Sequence, residues 1–433
     1  MSNTDRATRE RAAAFGLMRR IGAGKLEVLP RFTVSGLDQI AALYTPGVGY
    51  LVNEIVARPE ALGELTGRDN TIAVVSDGTA VLGLGNAGPH AALPVMEGKA
   101  AMFKLLVGID AIPLCVSTKG ADQLVALLQA LQPSFGGFNL EDVAAPICFE
   151  VMERANGRLT VPIIHDDQYG TATAVAAGLI NAWKVLGRDR SRERVVVCGD
   201  GAAGTATVDL LLGLGVQDIT VVGLTGIIGR HRSYPDPHRQ WLAEQTNHAR
   251  LRGGLAEAMQ GAGAFVGLSV GGIVSGEMVR SMADAPIVFA MANPVPEIMP
   301  EVAMEAGAAV IATGRFDYPN QCNNVLAFPG LMRGALDTKA LRVPREACLA
   351  AAEAIAQDLP ESALAPGNIL PTPLSDSLYP SVADATAQSL IRLGLAQRRY
   401  APGEVAQRTH QLRAAVMARQ ASIPQPKNVP ETS

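Results

Sequence analysis

Four carboxylates come in two neighbouring pairs: Glu141-Asp142, within Asn-Leu-Glu-Asp-Val, and Asp166-Asp167, within Ile-Ile-His-Asp-Asp-Gln-Tyr-Gly. The second pair follows an apolar run almost at once, which places it at a strand end. Carboxylates at a buried strand end repel one another and lose hydration unless a cation compensates them. Hard oxygen donors suit Mg²⁺ or Mn²⁺ and leave positions open for substrate or water. A solvated acidic turn with helix capping is the competing reading. His165 reads as structural, because the adjacent aspartates already make a hard-oxygen site. Lys99 has Glu97 as its only ionised neighbour between Thr79 and Phe103. An apolar neighbourhood lowers a lysine pKa towards the range useful to a base. The alternative is a surface lysine with its stem packed down. Tyr44 precedes a Pro-Gly turn, of the kind that shapes backbone around a ligand, or else is a core tyrosine with its hydroxyl satisfied. Asn293 and the pair Asn323-Asn324 lie at or beyond late strand-to-loop junctions, where amides hold small carboxylates or the nicotinamide side of a cofactor.

A β-branched run, Val195-Val196-Val197-Cys198, leads straight into Gly199-Asp200-Gly201-Ala202-Ala203-Gly204 and then an apolar stretch over 205–214. Strand, glycine turn and helix in succession suit a dinucleotide pyrophosphate. Glycine lets the backbone approach the phosphates, and the helix N-terminus offers unpaired N–H groups. The candidate cofactor contacts are therefore Gly199, Gly201, Ala202, Ala203 and Gly204.

The elements that must position these residues alternate along the chain. Residues 1 to about 30 read as an exposed amphipathic helix and a connecting segment. Runs 71–75 and 80–84 flank Ser-Asp-Gly-Thr, which signals a tight hairpin. A buried strand is expected over 111–116, a helix over 120–131, and a long Ala-rich helix over 171–186. Short apolar runs at 219–222, 264–268, 286–291 and 308–312 imply a doubly wound parallel sheet with its ligand crevice at the carboxyl ends of the strands. Closing helices are expected over 345–357 and 381–393, the second just after Pro380, then one helix after about 401 and a loose tail at 423–427. The fold class is α/β.

Bulk properties exclude several functions. The 433 residues are 48% hydrophobic and 18% charged, with a net charge of −4 and no dominant cluster of Lys and Arg. Disorder and sequence-independent nucleic-acid binding are therefore not expected. Five scattered cysteines form no C-x-x-C pair, which fits a reducing cytoplasm. The charged first 20 residues argue against a secretory signal, and no stretch approaches the ~20 apolar residues needed to span a bilayer.

Taken together, Leu-Tyr-Thr-Pro-Gly-Val, Ser-Asp-Gly-Thr-Ala-Val-Leu-Gly-Leu-Gly-Asn, Met-Glu-Gly-Lys-Ala, Phe-Gly-Gly-Phe-Asn-Leu-Glu-Asp, His-Asp-Asp-Gln-Tyr-Gly-Thr-Ala and Asn-Asn-Val-Leu-Ala-Phe-Pro-Gly resemble the compact bacterial malic enzymes over roughly residues 25–395. The resemblance implies Tyr44 as general acid, Lys99 as general base, and Glu141, Asp142 and Asp167 as ligands of Mg²⁺ or Mn²⁺. It implies Asp166 as the acidic neighbour supporting the site, and Asn293 and Asn324 as contacts to substrate and cofactor, with Asn323 as an alternative to the latter. The glycine turn matches an NAD(P) pyrophosphate loop. An N-terminal substrate and metal domain is expected over 1–165 and a Rossmann-type NAD(P) domain over 166–324. Helices returning to the first domain follow over 325–398, then a tail over 399–433. Homodimers or higher oligomers and a C4 hydroxy dicarboxylate substrate are implied, with malate oxidised and decarboxylated to pyruvate. A malolactic-type or oxaloacetate decarboxylase without net cofactor reduction, and a non-catalytic nucleotide-binding relative, are the rival readings.

Three departures bear on specificity. No acidic residue stands near Gly223, at the end of the second nucleotide strand, and Arg230 and Arg232 follow closely. That combination leans towards NADP. Asp200 inside the glycine turn would repel pyrophosphate unless it points away. Phe316 stands where a small polar residue is usual, and is expected to narrow or reshape the pocket.

Overall fold

Apolar and β-branched residues make Thr71–Ser76 (β1) a strand that is buried after its first residue. Asp110–Cys115 (β2), Gly137–Leu140 (β3) and Ile163–His165 (β4) complete a parallel sheet of order β2-β1-β3-β4. The structure, a computed structural model, describes residues 3–22, 24–81 and 84–421. Parallel neighbours need crossover connections, and helices supply them. Pro89–Val107 packs on β1 and β2, while Ala121–Leu131 and Ile147–Ala155 pair with each other. Their apolar faces join Phe138, Leu140 and Ile163 in one core.

The second sheet runs β10-β9-β8-β5-β6-β7, from Arg194–Cys198 (β5), Asp218–Gly223 (β6), Gly226–Ile227 (β7), Ala264–Gly267 (β8), Ile287–Ala290 (β9) and Val310–Thr313 (β10). Only the two-residue β7 runs antiparallel to its neighbour. Renumbered from β5, this is the 3-2-1-4-5-6 order of a dinucleotide fold, so the switch point lies between β5 and β8. Helix Thr171–Leu186 spans the range expected from sequence and is buried almost throughout its first three turns.

The chain then returns to the first sheet. Helix Phe328–Asp337 packs on Pro89–Val107 and on Leu378–Arg392, and Glu404–Ala421 packs on both of these latter helices. Arg345–Gln357 matches its expected range. Helix Leu378–Arg392 starts three residues before the expected 381, because Pro380 sits within the first turn, where its missing N–H costs no hydrogen bond. The expected tail at 423–427 lies outside the described residues.

Two expectations fail. The Asp-Gly dipeptide after β1 does not make a hairpin, since β1 is an inner strand paired in parallel with β2 and β3. Instead Asp77 Oδ1 accepts from Thr79 N (3.1 Å) and Oγ1 (2.7 Å), turning the chain sharply off the strand end. Among the described residues of the expected second run, Val81 forms an isolated bridge with Gly85, and residues 82–83 lie outside the described residues. Second, the 21 residues Leu37–Ala57 are long and apolar enough by composition to match a bilayer-crossing segment, although interspersed polar residues hid this from a search for uninterrupted apolar runs. They are not one rod: helices Leu37–Leu43 and Gly47–Ala57 are separated at Tyr44–Pro46, and neither buries a residue.

Candidate active site

The register of the first sheet assembles the acidic centre. Leu140 pairs with His165 across β3 and β4, so Glu141-Asp142 and Asp166-Asp167 leave adjacent strand ends side by side. Glu141, Asp142 and Asp167 offer ligand oxygens that all lie within 4.8 Å of one another. Asp142 N donates to Asp167 Oδ2 (2.8 Å), and Asp142 holds φ +53°, a left-handed backbone conformation uncommon outside glycine. The turn mistaken for a hairpin braces it: Ala80 N donates to the Asp142 carbonyl (3.0 Å) and Ala144 N to Thr79 Oγ1 (2.9 Å).

Lys99, 8% exposed, enters from helix Pro89–Val107. Its Nζ bonds Asp166 and lies 2.8 Å from Glu141 Oε1 and 4.2 Å from the centre of the Phe328 ring. Burial alone would lower its pKa, but the charges of Asp166 and Glu141 outweigh burial and hold it well above the ordinary lysine value. The expected lowering is therefore reversed, because the nearest charges come from strands distant in sequence. Burial raises Glu141 and Asp166 above the usual carboxylate range against the pull of Lys99. Burial would also raise Asp167, but the hydrogen bond and charge of His165 outweigh it and lower this carboxyl. His165 Nε2 lies 3.1 Å from Asp167 Oδ2, and its Nδ1 lies 3.0 Å from Gln168 Oε1. His165 thus orients the acidic centre from behind.

The two asparagines expected near residue 324 separate cleanly. Asn324 Nδ2 donates to the Asp166 oxygen that also bonds Lys99. Asn323 caps a short helix through Val325 N (3.0 Å). Asn293 lies elsewhere, exposed beyond β9, with Nδ2 3.3 Å from the Met291 carbonyl. Tyr44 is 70% exposed on the N-terminal segment, and the single chain does not bring it to Lys99. Phe316 faces solvent at 73% exposure, so within the chain it narrows no pocket. Sequence reading missed Asn139, whose Nδ2 donates to Glu141 Oε2 (3.0 Å). A polar residue inside a wholly buried strand, two positions before Glu141 and hence on the same face, was the available signal.

The glycine turn has the shape a pyrophosphate needs. Gly199 has φ +127°, and a Cβ on it would lie 2.5 Å from the Leu268 carbonyl. A Cβ on Gly204 would lie 1.9 Å from the Gly199 carbonyl, whereas one on Gly201 would meet nothing within 4 Å. The first and third glycines thus allow close packing, and the second leaves open backbone at the start of helix Ala202–Gly213. Thr205 Oγ1, buried in that helix's first turns, has no partner among the described residues. Gly267 at the end of β8 is in register with Cys198 and Ala290, so the loops carrying Leu268 and Asn293 share the same carboxyl edge. The acidic turn Asp166–Gly170 packs on helix Ala202–Gly213, with Tyr169 Oη 3.3 Å from Asp209 Oδ2, which joins the two centres.

Fold and site thus define a two-sheet α/β protein, a Rossmann-type nucleotide fold beside a buried lysine–carboxylate centre. The malic enzyme N-terminal domain matches residues 23–123, and the malic enzyme NAD binding domain matches residues 168–387. The chain is 45% identical over 397 residues to the bifunctional malic/malolactic enzyme of Bacillus subtilis, covering 91% of this chain and 97% of that protein. It is 46% identical over 375 residues to the NAD-dependent malic enzyme of Geobacillus stearothermophilus, covering 87% and 78% respectively. The crystal structure of malic enzyme from Pyrococcus horikoshii superposes with a TM-score of 0.89 at 40% identity, over 96% of this chain and 97% of that one. The chain belongs to the malic enzyme family.

Proposed function

We propose that the protein oxidises malate to pyruvate and CO₂ while reducing NAD or NADP, with a divalent cation bound by Glu141, Asp142 and Asp167. The observation that carries this reading is Lys99 held by Asp166 and Glu141 at one strand edge, packed through the acidic turn against the helix that opens at the glycine turn. The carboxylate donor set suits Mg²⁺ or Mn²⁺, and Asp166 Oδ1 is buried without a hydrogen-bond partner among the described residues. A nicotinamide cofactor bound at the glycine turn would supply the hydride acceptor, and a cation held by Glu141, Asp142 and Asp167 would supply Lewis acidity beside the C2 oxygen and oppose the carboxylates' hold on the Lys99 proton.

The chain's own residues do the rest. Lys99 takes the C2 hydroxyl proton at Nζ as the alcohol is oxidised, and Asp166 and Asn324 fix its position. After CO₂ has left, the enol of pyruvate needs a proton at C3, and Tyr44 provides it from a second copy of the chain. Support for a homodimer comes from the apolar N-terminal segment, where Leu37, Tyr50, Val52 and Val56 are exposed beside Tyr44. Five free thiols support a reducing, cytoplasmic setting.

The test is a stoichiometry. Malate, Mn²⁺ and oxidised cofactor are expected to give reduced nicotinamide and pyruvate in equal amounts, with both lost on chelation of the metal. Lactate formed without accumulation of reduced cofactor would replace this reading with a malolactic one. A second expected result concerns His165, which orients Asp167. His165→Ala is expected to weaken Mn²⁺ binding by ~10- to 100-fold, the usual effect of removing a group that positions a metal ligand. Unchanged affinity in a calorimetric titration would show that His165 only fills space.

A further inference from the structure

A dinucleotide fold reads the adenosine ribose at the end of its second strand, where a carboxylate accepts from the 2′-hydroxyl and opposes a 2′-phosphate. Here that strand is β6, which ends at Gly223 with no side chain to offer. The position is nevertheless occupied. A Cβ built on Gly223 would lie 2.5 Å from Asp200 Oδ2 and 2.8 Å from its Cγ. The Asp200 carboxylate therefore crosses from the glycine turn after β5 and rests over the end of β6. Its Oδ2 lies 2.8 Å from Arg239 Nε, contributed by helix Pro237–Gln245. Glycine at 223 is what makes room for this arrangement.

The two arginines expected to receive a 2′-phosphate are already engaged. Arg232 donates to Thr225 Oγ1 (3.1 Å), the Thr225 carbonyl (3.0 Å) and the Ile227 carbonyl (3.2 Å). Arg230 donates to the Glu244 carbonyl.

The geometry points to Asp200 as the residue that selects NAD over NADP, supplying from the glycine turn the carboxylate that the end of β6 lacks, with Arg239 as its positioning residue. This rests on the reading of the chain as NAD(P)-dependent, and it reverses the NADP lean drawn from the bare sequence around Gly223. A 2′-phosphate beside Asp200 would meet like charge, whereas a 2′-hydroxyl has a hydrogen-bond acceptor there. Without the Asp200 carboxylate, the Arg239 guanidinium is released to pair with a phosphate.

Titration of the full-length protein with NADH and NADPH, followed by nicotinamide fluorescence without malate or metal, tests this independently of turnover. Wild type is expected to bind NADH more tightly. Asp200→Ala and the isosteric Asp200→Asn are each expected to shift the NADH-to-NADPH affinity ratio towards NADPH by roughly 10- to 100-fold, the range of one charge-assisted hydrogen bond. Adding Arg239→Ala to Asp200→Ala is expected to abolish most of the gain for NADPH. A wild-type protein that prefers NADPH, or a ratio unmoved in both Asp200 variants, overturns the assignment while leaving the NAD(P)-dependent reading intact. Failure of wild type to bind either dinucleotide overturns both.

Discussion

Lys99→Ala is expected to lower kcat for malate oxidation by ~10²- to 10⁴-fold, the usual contribution of a positioned general base, with a much smaller change in the KM for malate. The ammonium group is the sole cation whose contacts reach both Asp166 and Glu141 among the described residues, and it is nearly buried. Removing it takes away the proposed proton acceptor and leaves two buried carboxylates without a countercharge. A stability loss should therefore accompany the kinetic one, of about 3–5 kcal/mol if the pair behaves like other broken buried ion pairs. Thermal unfolding separates the two effects. If the folded variant retains kcat within a few-fold of wild type, Lys99 is a structural counterion and the base lies elsewhere. Excess Mn²⁺ should recover part of the stability but none of the turnover, because a cation replaces the charge and not the proton acceptor.

Half of the acidic centre was legible in the sequence, because Asp166-Asp167 follows an apolar run almost at once. Glu141-Asp142 leaves β3 and Asp166-Asp167 leaves β4, so strand ends alone put them on one edge. The Leu140–His165 register that makes them neighbours is a tertiary fact with no local signal. The same limit explains the reversed expectation for Lys99. Apart from Glu97 its near sequence neighbours carry no charge, while the charges that set its pKa lie more than 40 residues away along the chain. The dinucleotide fold was legible for the opposite reason, since strand, glycine turn and helix are contiguous. Asp-Gly after β1 misled because a turn signal carries no information about which strands pair. Asp200 was seen as anomalous, but its destination over Gly223 depends on where β5 and β6 lie in the sheet. The apolar content of 37–57 escaped a search for unbroken runs, and that segment carries the one candidate catalytic side chain that the single chain leaves outside.

Mixing two inactive variants, Lys99→Ala and Tyr44→Phe, is expected to restore activity if Tyr44 acts on the neighbouring subunit's substrate. Each variant alone should lose ~10²-fold or more, since one lacks the proposed base and the other the proposed acid. In a mixed dimer that exchanges Tyr44 between subunits, one site combines both defects and the other combines an intact Lys99 with an intact Tyr44. Random reassociation of equal amounts makes half of the dimers mixed, so about a quarter of the wild-type activity should return. If Tyr44 served its own chain's Lys99, every site in the mixture would carry one defect and nothing would return. The outcome therefore reports on geometry and not on the chemical importance of either residue. The 70% exposure of Tyr44, on a segment with no buried residue in either flanking helix, favours recovery. The apolar side chains around it would become buried in the same event, so dilution below the dimer dissociation constant should abolish activity and expose that surface to a hydrophobic dye together. Activity that survives as monomer, or a mixture that stays inactive after verified subunit exchange, would place the proton donor within the chain and leave the N-terminal segment a purely structural role.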